Sequence, residues 1–150
     1  MLPRTKLLRL TAVACVALAA AGCGGGESEE EREAEEGGRG TITCEGPALT
    51  GATNLPASFP KLDDVTYVEA EKRGPTAVVD GYYEGSLEDA YEGYKDAFES
   101  AGYEILFDEI EEDDSEVSYR ADDETEGIVA LRKACDEDDR ISVHITNRPG

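Results

Sequence analysis

The chain has 150 residues, with 14 Lys and Arg against 35 Asp and Glu, a formal net charge of -21. That balance repels a nucleic-acid backbone, and no basic patch interrupts it, so nucleic acid is excluded as a partner. The length beyond the first forty residues is enough for one hydrophobic core and too short for two comfortable ones.

The amino terminus begins with the basic residues Arg4, Lys6 and Arg9, followed by an uncharged apolar stretch from Leu10 to Ala21. This is the order of an export signal. The stretch is too short to cross a bilayer, which takes roughly 20 apolar residues. It closes in small residues, and Ala20-Ala21-Gly22-Cys23 resembles the lipobox of bacterial lipoproteins. The resemblance covers the leader alone. It implies that residues 1–22 are a signal peptide, that the Cys23 sulfur carries a diacylglyceryl group, and that cleavage precedes Cys23. The mature protein is then extracytoplasmic and lipid-anchored to a bacterial membrane, with the bilayer as a partner through acylated Cys23. Each buried methylene of such an anchor contributes about 0.8 kcal/mol.

Residues 23–40 read as the lipidated Cys and a disordered Gly/Glu linker. Glu27 to Glu36 holds seven Glu and one Arg, with Gly24 to Gly26 before the run and Gly37, Gly38 and Gly40 after it. No apolar periodicity offsets the ordering entropy of such a segment.

Residues 41–150 read as a single α+β domain. Beyond Cys23 its only cysteines are Cys44 and Cys135. An oxidising compartment permits one pairing, and a Cys44–Cys135 disulfide is expected. Closing a loop of about 90 residues disfavours the unfolded chain by roughly 4.5 kcal/mol in the entropy model. The lead-in segment, Thr41 to Asp64, is rich in Gly, Pro and Asn; residues 41–49 are expected as a short edge strand, with Leu55 and Phe59 pinning the remainder to the core. Residues 65–72 and 76–83 form a hairpin about Arg73-Gly74-Pro75.

A helix follows from Leu87 to Ala101. Ser86 supplies its N-cap and Asp89 the acidic partner three residues on. Leu87, Ala90, Tyr91, Tyr94, Phe98 and Ala101 lie on one stripe, Gly102 ends the helix, and Gly93 is expected to let it approach the sheet. Tyr103–Glu111, Glu116–Ala121, Thr125–Cys135 and Ile141–Thr146 are expected as strands, the last with Ile141, Val143 and Ile145 opposite Ser142, His144 and Thr146. The order β-β-α-β-β-β-β with one good helix predicts a small, mostly antiparallel sheet with one packed helix.

No catalytic, cofactor-binding or metal-binding residue is assigned. His144 is the sole histidine, and it lacks a nucleophile in a recognisable elbow and a second His at ligand spacing. The acidic turns do not follow the alternating pattern of a calcium loop. Tyr82, Tyr83, Ser142 and His144 are the candidate binding surface. The expected function is a membrane-anchored, non-catalytic binding or accessory domain, its partner an envelope protein or a small ligand. A small envelope hydrolase and a structural or stress-related envelope protein are the alternatives.

Overall fold

The computed structural model describes residues 40–149 except 123, 124 and 138, and for Asp122 the backbone only. The leader, Cys23 and nearly all of the linker lie outside the described residues. Six strands and one helix follow in the order β1 (Val65–Arg73), β2 (Thr76–Glu84), α1 (Leu87–Ser100), β3 (Glu104–Ile110), β4 (Asp114–Asp122), β5 (Thr125–Arg132) and β6 (Arg140–Pro149). The strands form one sheet in the order β1-β2-β6-β5-β4-β3, every neighbour antiparallel. This is the α+β arrangement expected from the sequence.

Local chemistry explains the turns. Arg73 pairs with Thr76 across β1 and β2, so Gly74 and Pro75 make a two-residue turn, and Gly74 takes a φ of 62°, which glycine tolerates without a Cβ clash. At the start of α1 the Asp89 amide donates to Ser86 Oγ at 3.1 Å, and the same hydroxyl donates to Asp89 Oδ2 at 2.7 Å. At its end Gly102 has a φ of 80° and the Tyr103 amide bonds Phe98 O at 2.9 Å, closing carbonyls that the helix leaves open.

The helix carries the chain from β2 to the far edge, and the meander β3-β4-β5-β6 returns to pair β6 with β2 in the middle of the sheet. Its apolar stripe, Leu87, Ala90, Tyr91, Tyr94 and Phe98, is buried against the inner face. Phe98 is the centre of this layer. Its ring stacks on Tyr119 with centroids 4.4 Å apart and on Tyr103 at 5.5 Å, and meets Phe59 edge-on at 5.6 Å. Val79, Val117, Val129, Val143 and Ile145 complete the floor, all buried. The lead-in segment adds Leu55, Phe59 and Leu62 to the same face.

Two expectations change. Residues 41–49 are not a strand: residues 40–46 cross the sheet's other face, where Cys44 is tied to Cys135 between β5 and β6, and the stretch reaches the β1 edge only at Leu49, whose amide donates to Tyr67 O at 2.7 Å. Gly93 faces Leu62, whose Cδ1 would lie 3.1 Å from a Cβ at that position; the close approach it permits is to the lead-in segment rather than to the sheet. Gly127 has a different use. A Cβ there would fall 2.4 Å from the Tyr119 hydroxyl, and that hydroxyl donates to Asn147 Oδ1 at 2.8 Å, a buried polar pair in the inner layer.

Candidate functional site

The outer face of the sheet, opposite α1, is built from the alternate residues. Strand register lines them up in rows: Glu116, Ala130, His144 and Asp80 follow one another across β4, β5, β6 and β2, and Ser118, Ile128, Thr146 and Val78 form the adjacent row. The face divides into a covered half and an open half.

A strap, residues 40–46, lies over the covered half. Cys44 is joined to Cys135, the Thr43 amide donates to Ser142 Oγ at 2.9 Å, and Arg140 Nη1 donates to Cys44 O at 3.1 Å. Gly40, at a φ of 60°, lies flat on the His144 imidazole, where a Cβ would come within 2.3 Å of Cγ. Beneath the strap Asp80, Ser142 and His144 are only 4, 2 and 7 % exposed. His144 Nδ1 is hydrogen-bonded to Asp80 Oδ1 at 2.7 Å, the ring N–H donating to the carboxyl oxygen.

Magnitudes decide what holds the strap. Ordering its backbone costs about 1–2 kcal/mol per residue, whereas each neutral hydrogen bond returns about 1 kcal/mol. Apolar burial adds little: Ile42, its largest apolar side chain, is 44 % exposed. The non-covalent contacts among the described residues therefore fall short of the ordering cost, and the disulfide makes up the difference. The core cluster contains no residue from 40–46.

The expected surface residues are thus distributed. Ser142 and His144 share the covered half, and His144 meets a carboxylate from β2. The Ser142 hydroxyl is occupied by the Thr43 amide. Tyr82 is on the same face, with the Arg140 guanidinium 4.8 Å above its ring, an ordinary cation–π distance. Tyr83 points the other way and belongs to the inner core.

The open half carries apolar side chains in solvent. Leu106, Phe107 and Ile128 are 41, 50 and 37 % exposed. The register of β3 against β4 slips between Ile105 and Phe107, so Ile105 packs on the inner cluster while Phe107 pairs with Ser118 on the outer face. This bulge turns two large residues outward. Leu106 walls a groove of about 340 Å³ together with Ser118, Ile128, Thr146, Thr76 and Arg148. Glu126 also reaches this groove, but Arg120 engages it through Nε at 2.8 Å and Nη2 at 2.5 Å, while Nη1 reaches Glu104 at 3.2 Å. Arg148 makes no ion pair with a described residue. The groove is therefore apolar at its β3 end and cationic at its β6 end.

A second titratable cluster ties α1 to β3. Lys95 Nζ donates to Asp108 Oδ2 at 2.8 Å and to the Tyr91 hydroxyl at 3.2 Å, and the Tyr91 hydroxyl donates to the same carboxylate. Lys95 and then Tyr91 hold the Asp108 carboxyl below its ordinary range. The bond to Asp108, followed by burial, pushes the Tyr91 hydroxyl up. All three groups are engaged with one another, and the cluster reads as a clasp.

The chain matches no protein-family model, and comparisons with curated proteins and with solved structures return no match. What the described residues define is a six-stranded antiparallel α+β fold with one helix among them, closed by a disulfide. The Cys44–Cys135 bond is consistent with an oxidising, non-cytoplasmic compartment. Among the described residues no helix is long and apolar enough to cross a membrane, and no group of three or more His, Cys, Asp and Glu is placed to hold a metal ion.

Asp80, Phe107, Ile128 and Arg148 were not singled out from the sequence as site residues. Asp80 meets His144 only through the β2–β6 pairing, which is not local. The three consecutive apolar residues Ile105, Leu106 and Phe107 are the one signal for the β3 bulge, since a regular two-residue period cannot place all three on one face.

Proposed function

We propose that this protein is a lipid-anchored, extracytoplasmic and non-catalytic binding domain whose docking face is the open half of the outer sheet. The observation that carries the reading is the exposed apolar cluster of Leu106, Phe107 and Ile128 beside a groove that ends on Arg148, which has no ion-pair partner among the described residues. Contiguous exposed apolar surface on a sheet favours a partner. In a chain of net charge -21 a guanidinium at the end of such a groove selects the partner's sign. The fitting occupant is a segment of an envelope protein that presents an apolar side chain to Phe107 and Ile128 and a carboxylate to Arg148. The lipobox-like Ala20-Ala21-Gly22-Cys23 supports the anchor, and the Gly/Glu linker would give the domain reach from the bilayer.

Two measurements test the halves of this reading. Fatty-acid labelling and membrane fractionation should both be lost in Cys23→Ala; a variant that still labels and sediments with membranes removes the anchor. A photo-crosslinking side chain at position 107 of the anchored protein should trap a partner that one at Glu92, on the exposed side of α1, does not. Phe107→Glu and Arg148→Glu should each abolish binding of that purified partner. Unchanged affinity in both variants overturns the docking face.

A further inference from the structure

The geometry points to a second site, concealed: the Cys44–Cys135 bond is a point of thiol–disulfide exchange whose reduction lifts the 40–46 strap and uncovers Asp80, His144 and Ser142. This inference does not rest on the docking face, which lies on the other half of the sheet.

Three observations meet here. First, the disulfide spans 91 residues in sequence, yet the part it fixes on the amino-terminal side is a segment that supplies nothing to the core cluster. Breaking it releases a cover and leaves the inner layer's contacts in place. Second, apart from Val68, on which Gly46 lies at one end, the side chains that the strap contacts are polar. A cover whose purpose is to bury apolar surface would lie over Leu106, Phe107 and Ile128, which are exposed although Ile128 and Phe107 belong to the adjacent row. It lies instead on a carboxylate, an imidazole and a hydroxyl, each buried. Third, both cysteines are only part-buried, Cys135 lying just after β5, so a thiolate can reach the bond without unfolding the sheet.

The reductant is a dithiol. One of its thiolates attacks a sulfur of the Cys44–Cys135 bond, the S–S bond breaks, and a mixed disulfide forms with release of the other protein thiolate. The second thiol of the reductant then attacks the mixed disulfide. The protein gains two electrons and two protons and ends as the Cys44 and Cys135 thiols, and the reductant ends as its own disulfide. Without the covalent tie the two hydrogen bonds among the described residues, Thr43 N to Ser142 Oγ and Arg140 Nη1 to Cys44 O, do not hold the segment against its freedom. The imidazole keeps Asp80 on Nδ1 and offers Nε2 to solvent, beside a freed Ser142 hydroxyl. The uncovered site suits a small polar ligand that uses an imidazole nitrogen and a hydroxyl together.

His144 is the only histidine of the chain, so one reagent reads the site without ambiguity. The full-length protein would be treated with diethyl pyrocarbonate in three states: oxidised, reduced with dithiothreitol, and reoxidised. Carbethoxylation of His144 would be followed by mass spectrometry, alongside hydrogen exchange of the β2, β5 and β6 amides. The expected result is protection in the oxidised and reoxidised states and modification faster by about tenfold or more after reduction, as a local opening predicts, with the strand amides still protected. Cys44→Ser with Cys135→Ser should behave as the reduced protein. Rapid modification already in the oxidised state overturns the cover. Equal protection in both states, with the thiols confirmed free, overturns the latch. Loss of strand protection on reduction also overturns it, because the bond would then be a global clasp. Should the double serine variant fail to fold, reduction of the folded wild type decides alone.

Discussion

The two halves of the outer face are solved in opposite ways. One half buries a polar group, Asp80, Ser142 and His144, under a strap that has almost no apolar content of its own. The other leaves Leu106, Phe107 and Ile128 in solvent. Hydrophobic burial alone would give the reverse. The contrast teaches that coverage here is set by covalent topology: the strap lies where Cys135 is, and Cys135 lies at the end where β5 gives way to β6. The inner face provides the reference, because there packing and coverage agree.

The largest effect should come from that reference layer. Phe98 is fully buried among four aromatic rings, and Phe98→Ala should cost about 3–5 kcal/mol in urea unfolding, cavity included. A loss near that of a surface residue would mean that the helix does not organise the domain. The next effect is on pH. Burial pushes the Tyr67 hydroxyl up from 10.0 to about 12, and burial moves Tyr94 and Tyr119 in the same direction. A raised folded-state value means that the neutral form is the one stabilised. The contribution is fully present below pH 10.0 and is lost as pH rises to about 12; for Tyr67 alone it amounts to about 2–3 kcal/mol. Urea midpoints should therefore fall with pH on the alkaline side, and Tyr67→Phe should flatten that fall. An unchanged slope would break the account.

Under the strap, Asp80→Ala strands a buried imidazole and should cost about 1–3 kcal/mol in the oxidised protein. The same substitution in reduced protein should cost much less, because water then reaches His144. The difference is a coupling energy, read from a double cycle of Asp80→Ala against reduction. Equal costs in the two redox states would erase the distinction between the covered half and an ordinary sheet interior.

How much of this could be read beforehand depends on range. The helix was legible because Ser86, Asp89, Gly102 and the apolar stripe act within a few residues of one another. The alternation of Ile141, Val143 and Ile145 against Ser142 and His144 was legible for the same reason, and the disulfide followed because oxidation left one pairing. The fate of the outer face was not legible. Whether Ser142 and His144 meet water depends on a segment about a hundred residues earlier, and the sequence suggests an edge strand there because nothing local says that Cys44 crosses the sheet. Phe107 is a smaller failure of the same type. Alternation places it with Ile105, and one inserted residue in β3 sends it to the opposite face.

The smallest stability effect belongs to the open half, and it is the most telling there. Phe107 is 50 % exposed and Ile128 37 %, so each has already forgone much of the burial that makes a core residue costly to lose. Phe107→Ser should lower stability by less than about 1 kcal/mol, in the same urea assay in which Phe98→Ala is severe. If the cost approaches that of Phe98→Ala, the ring is a packing residue and the open half is only a poorly covered core. If the fold is indifferent while the partner trapped at position 107 is lost, the ring is kept outward for contact. A near-neutral change in stability with a large change in binding is the signature of a residue whose apolar surface is completed by another molecule.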